Sequence, residues 1–337
     1  MEPQRRYTPI RKVIPALFAI FLLAVPLILT NPAYLQIVVF IFWYAYLTTS
    51  WNLVGGFAGV LPLGHTMFTG IGAYTSTLLF IQYGLTPWVG MFVGAVLAML
   101  VGIFVGLPTF KMRGAYFALA TIAFLEGLRV LTENTKTFLG FKVNGPQGMN
   151  LPLKGNSLYY FQFNSKVWYY YIILIMTAIV LYITYRVSRS RLGYYLTAGG
   201  EDKEAAEALG VNVARCKLYA MMLSTFFTAL GGTFYAQLVR YIHPRGIMSL
   251  DLSFEIAFIA IVGGRGTVAG PILGSILLVP FAELTRLYLG GSFLGIHLVV
   301  YGILLMIVIL FQPKGITEPL LRLYERLVAR LEQRFVR

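Results

Sequence analysis

The chain has 337 residues, 58% of them hydrophobic and only 12% charged, and its mean hydropathy is +0.74. Soluble domains carry about 25% charged residues, so this composition excludes a soluble enzyme or binding module and predicts an all-α polytopic membrane protein. The net charge of +14 gathers at alternate ends of the apolar runs, as the positive-inside rule predicts, and not in the contiguous groove that nucleic acid requires.

Single Cys216 excludes an intramolecular disulfide or a multi-thiolate metal site. His65, His243 and His297 are far apart and lack ligand spacing. No phosphate-binding G-x-x-x-x-G-K-[ST] run occurs. Neither metal chemistry nor ATP hydrolysis is therefore expected of this chain, and no catalytic residue is assigned.

In chain order, Arg5, Arg6, Arg11 and Lys12 precede Ile14–Thr30, which reads as a retained first span entering from the cytoplasm; Leu35–Val54 returns. Asn52–Tyr74 (NLVGGFAGVLPLGHTMFTGIGAY) then concentrates glycine, with Gly55, Gly59 and Gly64 flanking Pro62 and leading to His65. Such a segment either packs helices closely or breaks a helix where the backbone lines a cavity. Phe68–Ile81 and Trp88–Phe110 cross next, and Lys111-Met112-Arg113 marks a cytoplasmic turn. Tyr116–Leu131 carries Glu126 and Arg129, three apart on one helix face, which favours a structural ion pair over a transport site.

Thr132–Lys166, the longest polar interval, falls outside by parity and suits a lid, a docking surface or a passive connector. After Trp168–Arg186 comes the stretch 188–217, a cytoplasmic loop in which Glu201–Leu209 is built from helix formers with acids in the first turn. Gly210 stops that helix, tolerating left-handed geometry. A short polar helix between spans has no apolar core to bury into, so it either floats or docks on a partner.

Beyond Leu218–Val239, the apolar stretch Leu250–Val262 reads as too short for a bilayer core of about 30 Å. It carries Glu255, for which no partner is evident, and leads into Gly263, Gly264 and Gly266, then Gly270 and a run to Leu289. Parity requires two crossings or a re-entrant hairpin here, and interrupted backbone at that depth must be buried in protein or face water. Glu283 and Arg286 are spaced to pair. Leu294–Phe311 is the last span, and 318–337 patterns as an amphipathic helix on the inner leaflet lipid. Residues 1–337 thus read as one transmembrane unit of about 8–10 segments with broken or re-entrant helices.

Glu204-Ala205-Ala206, three residues, then Gly210, resembles the loop motif of binding-protein-dependent ABC importer permeases. NLVGGFAGVLPLGH with GIGAY, MRGAYFALATIAF, NGPQGM, SRLGYYLTAGGEDKEAAEALGVNVARCKLYAMMLS, VGGRGTVAGPILGS and FQPKG are similar, in order, to the branched-chain amino-acid permease family and cover most of Asn52–Gly315. Pro62 stands where that pattern carries serine. The resemblance implies a second related permease chain, two cytoplasmic P-loop ATPase subunits holding ATP and magnesium, and an extracytoplasmic substrate-binding protein. It makes Glu204, Ala205, Ala206 and Gly210 the helix seated in the ATPase.

The implied function is ATP-driven import of branched-chain or similar neutral amino acids across the bacterial inner membrane, with both termini cytoplasmic. Backbone groups around Gly55–His65 and Gly263–Gly270 are the candidate path, since broken helices expose N–H and C=O to a zwitterion. The same family pattern fits urea or short amides. A stand-alone secondary transporter coupled through Glu255 is the alternative from a different class.

Overall fold

The computed structural model describes residues 20–29, 31–112, 114–138, 141–289, 299, 302–303, 306, 310, 312, 315–323 and 325. Its long helices are α1 (Pro32–Asn52), α2 (Thr66–Tyr83), α3 (Pro87–Thr109), α4 (Ala115–Asn134) and α5 (Lys166–Ser188). Past the short helices α6 (Arg191–Glu201) and α7 (Lys203–Ala208) come α8 (Val213–Val239), a single turn α9 (Pro244–Ile247), α10 (Leu250–Gly264) and α11 (Gly270–Leu289). Among the described residues, five segments are long and apolar enough to cross a membrane: Pro32–Phe57, Pro87–Thr109, Ala115–Asn134, Lys166–Ser188 and Pro244–Gly264. Helices α2, α8 and α11 pack among them, giving an all-α polytopic membrane protein. Most of the expected last span Leu294–Phe311 and most of the expected tail 318–337 lie outside the described residues, as does the beginning of the expected first span.

Helix starts follow local chemistry. Asn31, Ser165, Ser190, Asp202, Asn212 and Ser249 each accept a first-turn backbone N–H through the side chain, and Pro32, Pro87 and Pro244 occupy first-turn positions whose N–H would be orphaned anyway.

Apolar lipid supplies little drive for helices to associate, so close backbone approach must provide it. Helices α2, α3 and α8 meet through small residues. A β-carbon on Gly72 would stand 2.0 Å from the Ala229 carbonyl oxygen, and one on Gly232 2.0 Å from that of Thr69. Thr233 Oγ1 donates to the Gly72 carbonyl at 3.0 Å across the same seam. Against this group lies α1, where Trp43 Nε1 donates to the Gly231 carbonyl and Tyr46 Oη to that of Phe227, each at 2.9 Å.

One end of the bundle carries α6 and α7; the opposite end carries residues 135–165. That second segment is tied down. Strand β1 (Thr137–Phe138) pairs with β2 (Phe141–Lys142), and β3 (Met149–Asn150) pairs antiparallel with β4 (Tyr241–Ile242), Met149 opposite Ile242. Buried Phe161 stacks on Trp88, with centroids 4.3 Å apart.

Two expectations change. The apparently short span at Leu250 is extended upstream by α9, so Pro244–Gly264 reaches 21 residues; proline and the Ser249 cap interrupt its periodicity and hide that length. The helix expected over Glu201–Leu209 is two helices, because Asp202 leaves helical geometry at φ −141° and caps α7.

The glycine seam generates a stability prediction. Gly72→Ala is expected to destabilise the purified chain by about 1–3 kcal/mol through overpacking against backbone. Gly246→Ala, whose β-carbon would meet nothing within 4 Å, should stay within about 0.5 kcal/mol of the parent; thermal unfolding in detergent reads both.

Candidate translocation break and docking loop

Helix α1 does not end cleanly. It runs into a π-helical turn, Leu53–Phe57, and residues 58–65 are non-helical until α2 begins at Thr66. The π turn follows from its sequence: Gly55 lies against the Trp51 ring, where a β-carbon would come within 2.2 Å, and Trp51 Nε1 donates to the Pro62 carbonyl at 2.8 Å. Gly59, at φ +67°, packs on Gly200 of α6, with space for no side chain between them. The chain then turns back. Leu63 N donates to Thr121 Oγ1 at 3.1 Å, and Gly64 lies on the Thr121 carbonyl.

His65 closes this segment. It is buried, and its Nε2 lies 2.9 Å from Thr228 Oγ1 and 3.0 Å from Ser224 Oγ, midway along α8. Thr66 continues the polar seam, its backbone N donating to Ser253 Oγ and its hydroxyl to the Ser249 carbonyl. The broken segment therefore runs from the end that carries α6, where Gly59 is exposed, to buried His65 beside the middle of α8.

The second glycine cluster forms the turn between α10 and α11. Gly263 faces Gly270, and Gly274 faces the Ile259 carbonyl, so the two helices run antiparallel in close contact. Ile316 N donates to the Val262 carbonyl at 2.9 Å and Thr317 Oγ1 to that of Gly263, closing the turn from the C-terminal side.

The two clusters meet through a residue that sequence reading passed over. Buried Asn52, the last residue of α1, accepts from Gly266 N through Oδ1 at 2.9 Å and donates from Nδ2 to the Thr267 carbonyl at 2.8 Å. Gly56 lets the turn approach: its β-carbon would stand 2.4 Å from the Gly266 nitrogen. A lone asparagine at the end of an apolar run was the available signal.

On the loop, Asp202 Oδ1 caps α7 through the N–H groups of Glu204 and Ala205, both at 3.0 Å, and Lys203 pairs with Glu207 at 3.8 Å. Glu204 and Ala205 face outward, and Gly210 turns the chain at φ +83° with nothing near it. Ala206 is buried against its own chain, while Leu209, which caps the C-terminal end of α7, is 86% exposed. A cavity of about 330 Å³ lies between loop and break, lined by Gly59, Val60, Gly200 and Glu204 among others.

The intramembrane acids have partners. Arg129 bonds both Glu126 and Glu133, at 2.9 Å to the latter, and Arg245 reaches Glu133 at 2.9 Å. Glu255, expected to be unpaired, accepts from Tyr44 Oη at 2.5 Å. The side chain of Arg286, the expected partner of Glu283, lies outside the described residues. Among the described residues no group of His, Cys, Asp and Glu could hold a metal ion.

The family described as "Branched-chain amino acid transport system / permease component" matches residues 33–309. Among curated proteins, the chain is 28% identical to the high-affinity branched-chain amino acid transport system permease protein LivM of Escherichia coli, over 83% of this chain and 69% of the relative. It is 26% identical to the permease protein LivH of the same organism's high-affinity branched-chain amino acid transport system, over 81% and 90%. It is 24% identical to the nucleoside ABC transporter permease protein NupC of Lactococcus lactis, over 71% and 76%. No solved structure matches the chain.

Removing the Asn52 amide is expected to leave the Gly266 N–H and Thr267 carbonyl without their partner. Asn52→Leu should cost about 1–3 kcal/mol, read as a lower melting temperature of the purified chain. Asn52→Asp, which keeps the acceptor but sets a buried carboxylate oxygen against the Thr267 carbonyl, should lower it at least as far.

Proposed function

Because this chain belongs to the branched-chain amino-acid transport system permease family, we propose that it is one membrane subunit of an ATP-driven importer whose α7 loop is mechanically continuous with the broken end of α1. The observation that carries the coupling is the Gly59–Gly200 contact, in which the broken segment and the docking loop share one backbone interface. Movement of α6 and α7 has no side chain to compress there. It passes to residues 53–65, and through Asn52 to the turn at Gly266.

The cargo in this reading is a branched-chain or similar neutral amino acid, supported by the family description and by the LivM and LivH relatives. Two permeases named for one high-affinity system in one organism support a second, related permease chain beside this one. A P-loop ATPase on each chain would supply ATP hydrolysis with its magnesium, and an extracytoplasmic binding protein would deliver cargo to the end that carries residues 135–165. The basic residues around 186–217 support a cytoplasmic position for the α6–α7 end. A nucleoside or urea-like cargo fits the fold equally but has less similarity behind it, and the Tyr44 contact of Glu255 weakens the case for a coupling ion.

In the transport cycle, closure of the ATPases draws on α7. Glu204 meets a basic group, exposed Leu209 fills an apolar depression, and Gly210 allows the return to the membrane. The non-helical backbone of 58–65 then travels with α6 and α7, with no helical hydrogen bonds to break.

Leu209→Asp is expected to reduce co-purification of the ATPase by at least about tenfold, in the range of a buried apolar anchor at an interface, with the melting temperature of the isolated chain unchanged. Glu204→Arg should weaken it less. Full recovery of ATPase with both variants would remove α7 as the docking element.

A further inference from the structure

Helix α4 is the least covered of the five apolar spans, with 22% of its window buried. Its charged residues nevertheless stand deep within it. At 1.5 Å per residue, Glu126 lies about 17 Å into a helix about 30 Å long. The Glu126 side chain is 36% exposed and that of Arg129 21%. They open a ladder of alternating charge, Glu126–Arg129–Glu133–Arg245, that climbs to the end bearing residues 135–165.

Hydrocarbon does not accept such a face. Long basic side chains can snorkel to the headgroups, but a glutamate at mid-helix has too short a stem to do so, and ionisable residues in spans face a bundle interior or water. The small residues beside the pair leave room in front of it: Ala123 and Gly127 are exposed, and a β-carbon on Gly127 would meet nothing within 4 Å. Helix α5 provides the contrast, since its exposed mid-helix side chains are Ile175, Ile179 and Tyr182.

We propose that the Glu126–Arg129 face of α4 is the wall of the water-filled transport path, and that this pair receives the cargo's two charges. Arg129 takes a carboxylate and Glu126 an ammonium group, so the ligand class is a small zwitterion, and the internal ion pair opens to exchange partners with it. The identity of the cargo rests on the importer reading; the aqueous character of the face does not.

The test uses the assembled transporter in proteoliposomes, in a Cys216→Ser background. Gly127→Cys, Ala123→Cys, the lipid-side control Ile175→Cys and the loop control Leu153→Cys are each reacted with a charged, membrane-impermeant thiosulfonate. Only a hydrated thiol ionises and reacts, so Gly127→Cys should react within about tenfold of Leu153→Cys and at least about a hundredfold faster than Ile175→Cys. Ala123→Cys gives a second reading should Gly127→Cys fail to assemble. A rate matching Ile175→Cys, or complete protection in the assembly, overturns the proposal.

Millimolar leucine should slow the labelling several-fold, and Glu126→Gln should remove that protection. Fast labelling that leucine leaves unchanged, in a transporter that imports leucine, overturns the ligand role of the pair. Fast labelling in a transporter that imports no branched-chain amino acid instead sinks the cargo assignment and leaves the aqueous wall standing.

Discussion

An unpaired backbone N–H or C=O in a hydrocarbon core costs several kcal/mol, which is why membrane spans are helices and why interruptions in them must be satisfied from elsewhere. Among the described residues, 58–65 is such an interruption, and it and the turn at 265–269 are satisfied partly by each other. The Asn52 amide supplies one donor and one acceptor to that turn from the edge of the break. Trp51, Thr121, Thr317 and the Thr66–Ser253 seam supply other partners. Both are thereby held in defined conformations without the helical ladder that would make them stiff.

That arrangement explains the distribution of glycine. Gly56, Gly59, Gly64 and Gly263 occur where backbone meets backbone or a clamping side chain, and a β-carbon at each would collide at 2.8 Å or less. Gly72, Gly90 and Gly232 solve a different problem, that of bringing α2, α3 and α8 together in a solvent with no hydrophobic drive. One composition serves two ends: rigid packing among three helices and a loosely held path beside them. The Gly59–Gly200 contact then joins that path to the docking loop.

Much of this was legible in the chain. The all-α membrane class, the two glycine clusters, the Glu126–Arg129 pair and the stop at Gly210 follow from periodicity, spacing and the φ preference of glycine, all local properties. What was missed is non-local. Asn52 is 214 residues from Gly266, and Tyr44 is 211 from Glu255; neither spacing leaves a trace in the sequence. The boundary at Asp202 was misjudged because an acid just before a helix and an acid in its first turn give the same signal. That Ala206 is buried was equally illegible, because a six-residue helix is too short for its apolar face to show periodicity.

The central claim is that the docking loop and the broken segment move as one body. A cysteine pair, Ala58→Cys with Gly200→Cys, in the Cys216→Ser background and bridged by a short thiol cross-linker, tests it in the assembled transporter. The account predicts that cross-linked transporter retains ATP-driven uptake, because the bond joins two parts that already travel together. Loss of uptake on cross-linking, restored when the bridge is cleaved, would show that the two surfaces slide past each other and would contradict it.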